Sequence, residues 1–220
     1  MDASAWDERY AATARVWSAE PNQWVAEICA DLAPGRALDL AAGEGRNAIW
    51  LAERGWEVVA TDFSRVAIDR LRSTAEEVLG QRSERVRAYI ADAADPLVGL
   101  GSFDLVVVCY LQLPEVEWSR ALRAAVDAAA PDGWVVIVLH ARQNLADGWG
   151  GPKDPAVLHD PDHVVAAVEG LPVHVERADL VTRVVRDEVS SHDALDTVVV
   201  LRRNAPGSEL GDIRRRDEGS

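Results

Sequence analysis

The chain has 220 residues, of which 48% are hydrophobic, a formal net charge of -14 and an isoelectric point near 4.7. This length can bury one sizeable hydrophobic core and is too short to favour a second complete domain. The negative charge disfavours nucleic acids and anionic membrane surfaces, because binding to either depends on clustered lysine and arginine. We therefore expect neither as a partner.

The amino-terminal residues and the cysteines indicate the cellular compartment. Residues 1–10 include acidic side chains and no apolar h-region, and no stretch of the chain approaches ~20 consecutive apolar residues. A cytoplasmic location is the expectation. Cys29 and Cys109 both lie in apolar surroundings, which predicts buried free thiols rather than a disulfide or a reactive site.

Short runs rich in β-branched residues alternate with longer amphipathic stretches from residue 36 onward. The alternation predicts an α/β fold, a doubly wound seven-stranded sheet that is mostly parallel and covered on both faces. The predicted strands are residues 37–41, 57–61, 86–90, 103–109, 134–139, 173–181 and 195–201. The predicted helices are residues 17–32, 45–54, 66–79, 116–129 and 161–168.

The carboxyl-terminal part of the chain differs from this alternating pattern. Only a few polar residues after Glu188 separate the last two predicted strands. A connection that short cannot hold a crossover helix, so the pair is predicted to form an antiparallel hairpin at the sheet edge. Residues 205–220 mix arginines with acids, glycine and serine and are predicted to be a disordered tail, which leaves residues 1–204 as one domain.

A glycine turn follows the first predicted strand. Gly43 and Gly45 let the backbone turn sharply and approach a ligand closely, and the N–H groups at the start of the next helix offer an electropositive rim. The turn predicts a polar or anionic ligand at this point. The spacing Gly43-x-Gly45-x-x-Ala48 fits a dinucleotide fingerprint equally well, and a tight turn without a ligand is also compatible with it.

Carboxylates follow the next two predicted strands. Asp62 lies at the spacing from the glycines that lets a carboxylate accept both hydroxyls of a ribose. Asp92 follows the third strand, where it could accept a hydrogen bond from an adenine amino group or cap its own loop. The fourth strand is apolar and ends in residues suited to the floor of a pocket, Cys109 and Leu111 among them.

These segments resemble the class I S-adenosylmethionine-dependent methyltransferases, over about residues 6–203. The first motif of that family is written D-x-G-x-G-x-G; Asp39, Gly43 and Gly45 match it, and Ala41 replaces the first glycine. Within the class, residues 6–10, 43–47 and 62–64 are similar to the branch that contains the tellurite-resistance and thiopurine methyltransferases.

The resemblance implies an enzyme that binds S-adenosyl-L-methionine and methylates a small molecule, as a monomer or a homodimer. It implies that residues 1–33 form an amino-terminal lid or helix, in which Tyr10 and Trp17 close over the donor, and that Phe63 lies against the adenine. The other cofactor-binding residues predicted in this way are Asp39, Ala41, Gly43, Gly45, Asn47, Asp62, Ser64, Asp92, Ala93, Cys109 and Leu111.

Methyl transfer from a sulfonium is an in-line displacement that depends on alignment in a dry pocket, so no catalytic triad is expected. A soft chalcogen anion or a thiol needs little help from a base, whereas a heterocyclic hydroxyl benefits from one. The candidate catalytic residues are His140, at the end of the fifth strand, and Arg183 and His192 in the hairpin. A structural role is the alternative for each of them.

Two other functions are compatible with the glycine turn. A nicotinamide-dependent oxidoreductase shares the turn and the later acid, but the chain has no Tyr-x-x-x-Lys pair. A protein that binds S-adenosylmethionine without transferring its methyl group differs only on the acceptor side. No metal site is expected, since His159 and His163 have no cysteine or third histidine nearby in the sequence.

Overall fold

A computed structural model describes residues 20–186 and 189–205 of the chain. Seven strands form one sheet in the order β3-β2-β1-β4-β5-β7-β6. The strands are β1 (Arg36–Leu40), β2 (Glu57–Asp62), β3 (Val86–Ile90), β4 (Phe103–Cys109), β5 (Ala129–His140), β6 (Val173–Arg186) and β7 (Ser191–Arg203). The first five are parallel, and β7 runs antiparallel to both β5 and β6. The predicted fold class and terminal hairpin are confirmed.

Helices cover both faces of the sheet. They are α1 (Gln23–Cys29), α2 (Arg46–Glu53), α3 (Arg65–Leu79), α4 (Glu115–Ala128), α5 (Asn144–Asp147) and α6 (Pro161–Ala167), and short 3-10 turns occupy Gly80–Arg85 and Pro155–Val157. One buried cluster, which includes Trp56 and Leu71, lies under α1, α2 and α3. A second, which includes Trp118 and Phe103, lies under α4 and α6. No helix in the described ranges is long and apolar enough to cross a membrane.

Side-chain caps fix where two of these helices begin. Asn22 accepts hydrogen bonds from the backbone N–H groups of Trp24 and Val25 at the start of α1. Ser64 accepts one from Ala67 at the start of α3, so this helix begins at Arg65, three residues after Asp62 ends β2. Within the described residues, the helix predicted at residues 17–32 is shorter than expected: α1 covers Gln23–Cys29, because the Asn22 cap fixes its start.

The predicted strands were too short at the carboxyl-terminal side. Strand β5 begins at Ala129 rather than at residue 134, because Ala129 already pairs with Phe103 of β4. The register then shifts before Trp134 pairs with Leu105, and Asp132 adopts a left-handed φ of 59° in this irregular segment. The sequence Pro131-Asp132-Gly133 resembles an ordinary turn and conceals this continuation. Strands β6 and β7 extend to Arg186 and from Ser191, so part of the predicted polar connection is strand.

Candidate functional site

The carboxyl ends of the central strands meet at one edge of the sheet. Leu40 pairs with Thr61 on one side and Val108 on the other, so β1, β2 and β4 end side by side. Because β7 is antiparallel, its beginning reaches the same edge, where Asp196 pairs with His140. Ligands of open α/β sheets bind at such an edge, where the strand order reverses.

The turn between β1 and α2 is built from left-handed backbone. Ala41, Gly43 and Gly45 have φ values of 59°, 56° and 84°. A Cβ on Gly45 would lie 2.3 Å from the Cγ atom of Leu71, a buried residue of α3, so glycine is required there for packing as well as for φ. Ala41 adopts a conformation that costs an L side chain ~1 kcal/mol, which explains why the related motif has glycine.

Asp62 ties this turn to the end of β2. Its Oδ2 atom accepts a hydrogen bond from the backbone N–H of Gly43 at 2.9 Å, and its Oδ1 atom accepts one from Ser64 at 2.9 Å. The side chain is almost fully buried. The carboxylate of Asp62 therefore lies against the glycine turn, and its contact with ribose hydroxyls stays a prediction.

Asp39 is a buried carboxyl group at the end of β1. Its Oδ2 atom has no hydrogen-bond partner among residues 20–186 and 189–205. The pKa of Asp39 is raised to about 7. Burial is the main cause; the backbone N–H of Ala48 and the charge of Arg46 oppose the rise, and the charge of nearby Asp62 adds to it. The Oδ2 atom of Asp39 can still accept a hydrogen bond, so it fits a ligand that presents a positive charge or an N–H donor at the sheet edge.

Three other predicted donor-side residues have visible structural roles. The Oδ1 atom of Asn47 accepts a hydrogen bond from the backbone N–H of Asn22 at 2.9 Å, which fixes α1 to α2. The hydroxyl of Ser64 caps α3. Asp92 is exposed, and its Oδ1 atom accepts a hydrogen bond from the backbone N–H of Ala94 at 2.8 Å. One oxygen of Asp92 therefore caps its own loop, which is the structural alternative to binding adenine.

The remaining predicted donor-side residues line the same edge of the sheet. Phe63 is half-buried between Asp62 and the cap of α3, and Ala93 is half-buried after β3. The Sγ atom of Cys109 lies 3.9 Å from a guanidinium nitrogen of Arg46, and burial raises the pKa of this thiol to about 11. Leu111 packs against the cluster under α4. Cys29 and Cys109 are free cysteines, as predicted.

A second group of polar residues forms where β4, β5, β6 and β7 come together. We call it the Asp196 cluster, and its members are Trp24, Tyr110, His140, Arg183 and Asp196. The Oδ2 atom of Asp196 accepts hydrogen bonds from Arg183 Nε at 2.7 Å, the Tyr110 hydroxyl at 2.8 Å and Trp24 Nε1 at 3.2 Å. The chain therefore satisfies one fully buried carboxylate oxygen with three donors.

His140 completes the cluster. Its ring stacks on Tyr110 with centroids 4.3 Å apart and an interplanar angle of 12°. Its Nδ1 atom lies 3.4 Å from the Oδ1 atom of Asp196, an ion-pair distance, but it lacks hydrogen-bond geometry to any described residue. Tyr110 itself has a left-handed φ of 56°, which turns the chain at the end of β4. The fold thus places two of the three predicted catalytic residues, His140 and Arg183, beside Asp196.

The charges of the Asp196 cluster are matched. Burial alone would raise the pKa of Asp196, but its contacts with His140, Arg183 and Tyr110 outweigh burial and lower it. Burial and the charge of Asp196 hold the pKa of Tyr110 well above its usual range. Arg183 is therefore paired within the fold, so its positive charge is already balanced before any acceptor binds.

The third predicted catalytic residue lies elsewhere. His192 stacks on Trp149, with centroids 4.6 Å apart, and its Nε2 atom lies 2.7 Å from the hydroxyl of Ser190 near the hairpin turn. Tyr10 and Trp17 lie outside the described residues, so the lid stays a prediction. The sequence analysis missed Asp196; the available signal was a lone carboxylate between the apolar runs of β7.

Residues 37–133 match a protein-family model described as a methyltransferase domain. This segment runs from β1 into β5 and includes the glycine turn, Asp62 and Tyr110. The demethylmenaquinone methyltransferase of Thermus thermophilus is 33% identical over 114 residues, which are 51% of this chain and 50% of that protein. The chain spans about half the length of the curated relatives it matches.

Solved structures extend the similarity to nearly the whole chain. One, from work on the conversion of a disulfide bond into a thioacetal group during echinomycin biosynthesis, has a TM-score of 0.73 at 21% identity and covers 94% of both chains. The 1,6-didemethyltoxoflavin-N1-methyltransferase of Burkholderia thailandensis has a TM-score of 0.67 at 19% identity and covers 91% of this chain and 86% of that one. The fold is that of the Rossmann-like methyltransferases.

Proposed function

We propose that the protein is an S-adenosylmethionine-dependent methyltransferase that acts on a small molecule. The observation that carries the proposal is the pair of buried carboxylates at the ends of β1 and β2, both beside the left-handed glycine turn. Asp39 has an oxygen without a described partner, and Asp62 is fixed against Gly43. A cationic, hydroxyl-rich donor would satisfy both.

The bound donor would supply an activated methyl group on a sulfonium, which needs no further activation by the protein. The chain's task is then to bind and orient. In our proposal Asp62 accepts from the ribose hydroxyls, Asp39 faces the positively charged end of the donor, and Phe63, Asp92 and Ala93 contact the adenine. The turn residues Ala41, Gly43 and Gly45 bring the backbone close enough to pack against it.

On the acceptor side, His140 is the best candidate for a proton acceptor. Its ring is held by stacking on Tyr110 and by the neighbouring charge of Asp196. Such a histidine could accept a proton from a thiol or a heterocyclic hydroxyl as the acceptor attacks the methyl carbon. Arg183 acts in this proposal through Asp196, as a positioning residue, because its charge is already paired.

We also propose the class of acceptor and the branch of methyltransferases to which the protein belongs. The acceptor is a soft chalcogen anion, a thiol or a heterocyclic hydroxyl, and the motifs around residues 43–47 and 62–64 favour the tellurite-resistance and thiopurine branch. The named relatives include a demethylmenaquinone methyltransferase and a didemethyltoxoflavin methyltransferase, so small-molecule acceptors occur among them. We further propose one domain over residues 1–204, a monomer or homodimer, and a cytoplasmic location.

Calorimetry tests whether the protein binds the methyl donor or its product. S-adenosylhomocysteine should bind, and Asp62→Ala should weaken its binding by about 2 to 3 kcal/mol because hydrogen bonds to the ribose are lost. Asp69→Ala, which removes an exposed carboxylate of α3, is the matched control and should bind as the wild type does. Tighter binding of NADH than of S-adenosylhomocysteine would contradict the proposal and favour the oxidoreductase alternative.

A separate experiment distinguishes transfer from binding alone. Purified protein is screened for S-adenosylhomocysteine production with thiols, chalcogen oxyanions and phenolic heterocycles as acceptors. With an active acceptor, His140→Gln should lower kcat and leave the donor Kd unchanged, because His140 lies on the acceptor side. Donor binding without product from any acceptor class would favour a protein that binds the donor without transferring its methyl group.

Hydrogen exchange tests the proposed amino-terminal lid. Slower exchange over residues 1–24 when the donor binds would support it.

A further inference from the structure

Two histidines and a glutamate meet on the face of the sheet covered by α4 and α6. Glu115 begins α4, while His159 and His163 lie just before and within α6, and each residue can offer a ligand atom within 4.8 Å of the other two. His159 is buried and stacks on Trp118, whereas His163 and Glu115 reach the surface. His159 and His163 are neighbours in the sequence, and folding adds Glu115 from a distant part of the chain.

The outer nitrogens of both rings face hydrogen-bond acceptors. The Nε2 atom of His159 lies 3.3 Å from the backbone oxygen of Leu113, and the Nε2 atom of His163 lies 2.9 Å from the Oε2 atom of Glu115. A carbonyl and a carboxylate can only accept, so each Nε2 atom must carry the hydrogen that it donates. In neutral rings this places the lone pair on both Nδ1 atoms.

The two Nδ1 atoms face each other at 3.3 Å. Two lone pairs at this distance repel unless a positively charged species lies between them. Two nitrogen ligands on one tetrahedral ion, with bonds of about 2.0 to 2.1 Å, are themselves ~3.3 Å apart. Histidines that bind metals commonly donate their other ring N–H to a carboxylate or a backbone carbonyl, which is the arrangement made by Glu115 and Leu113.

We propose that His159 and His163 bind a divalent transition-metal ion such as Zn²⁺ through their Nδ1 atoms, with Glu115 and the Leu113 carbonyl orienting the rings. Imidazole ligands suit Zn²⁺ and its neighbours among the transition metals. The exposed side of His163 leaves a path for the ion from solvent and coordination positions for water. The proposal does not depend on methyl transfer.

The site would connect two parts of the acceptor side. Leu113 belongs to the segment between β4 and α4, three residues after Tyr110. The backbone oxygen of His159 accepts a hydrogen bond from the hydroxyl of Thr197 at 2.7 Å, and Thr197 follows Asp196 in β7. An ion held by this pair would therefore fix the segment after Tyr110 to α6 and β7.

Calorimetry with Zn²⁺ alone, on untagged full-length protein, tests the site. We expect one ion per chain, and His163→Gln should weaken binding at least 10-fold because it removes a ligand. Glu115→Ala should weaken it about 10-fold through the loss of its hydrogen bond to the ring. The control is His174→Gln, an exposed histidine of β6, which should bind as the wild type does.

A thermal readout covers the case in which a variant is less well folded. Saturating Zn²⁺ should raise the melting temperature of the wild type and of His174→Gln by roughly 5 °C and leave that of His163→Gln unchanged. Replacing Zn²⁺ with Co²⁺ should give the wild type the visible absorption of a tetrahedral site. Absence of Zn²⁺ binding by the wild type, or equal loss in His174→Gln, would overturn the proposal and leave a proton shared between the rings.

Discussion

The two sides of the candidate site are built in different ways. The donor side comes from neighbouring stretches of chain, residues 37–48 and 57–64, and depends on backbone: three left-handed residues and two backbone N–H groups that bind Asp62. The Asp196 cluster gathers Trp24, Tyr110, His140 and Arg183 from distant parts of the chain around one buried charge.

This difference predicts how each side responds to substitution. The donor side should be most sensitive to changes of backbone conformation and of close packing, since left-handed backbone and backbone N–H groups hold the Asp62 carboxylate in place. The acceptor side should be most sensitive to the loss of charge, because a buried ion pair that loses one partner leaves the other without compensation. Four measurements examine this contrast.

The largest effect is expected for Gly45→Ala. The new Cβ would meet Leu71 at 2.3 Å in a buried site, and the φ of 84° is unfavourable for alanine, so the free energy of unfolding should fall by about 4 kcal/mol. Gly170→Ala is the matched control, because its φ of 79° is close to that of Gly45 and its Cβ would have nothing within 4 Å. It should cost only ~1 kcal/mol in chemical denaturation. Equal costs would contradict the packing requirement.

The buried carboxyl group of Asp39, on the donor side, should make the stability of the protein depend on pH. Since burial raises the pKa of Asp39 to about 7, the native state binds a proton more tightly than the unfolded chain, and wild-type stability falls as pH rises through this range. In unliganded protein, Asp39→Asn should therefore gain about 3 kcal/mol over the wild type between pH 5 and pH 8. A difference that stays constant with pH would show that Asp39 is not destabilised by burial.

On the acceptor side, Asp196→Asn removes the charge that Arg183 needs. The Oδ1 atom of an asparagine is uncharged but can still accept hydrogen bonds, so we expect a loss of about 2 kcal/mol in the free energy of unfolding. Asp179→Asn, which breaks an exposed pair with Arg177 in the same hairpin, should change it by less than ~0.5 kcal/mol. Denaturation at neutral pH provides both values. A similar cost for the two variants would mean that burial of Asp196 has no energetic consequence.

The smallest effect concerns Ala41. Replacing it with glycine relieves a left-handed alanine at φ 59° but adds freedom to the unfolded chain, so a net gain of about 0.5 kcal/mol is expected. Ala42→Gly, at a neighbouring position without a positive φ, should instead lose ~0.5 to 1 kcal/mol. Opposite signs in thermal unfolding would support the backbone account of the donor side, and equal signs would contradict it.

Several features of the fold were predictable because they depend on short-range patterns. The strands and helices of the first half follow from the alternation of apolar runs and from the glycine turn, and the boundaries at Val86–Ile90 and Phe103–Cys109 agree with the prediction. The antiparallel pair followed from a connection too short for a helix. The extension of β5 back to Ala129 was missed, because Pro131, Asp132 and Gly133 favour a turn locally while pairing with β4 keeps the segment in the sheet.

The sequence by itself determined the fold class and predicted that the glycine turn and Asp62 lie together, because consecutive parallel strands end at the same edge of the sheet. It also placed His140 and Arg183 at the right edge of the sheet. Only the tertiary structure decided that both meet Asp196 and Tyr110, and that Glu115 joins His159 and His163. Those contacts depend on strand order and helix packing, which bring together residues that no local pattern connects.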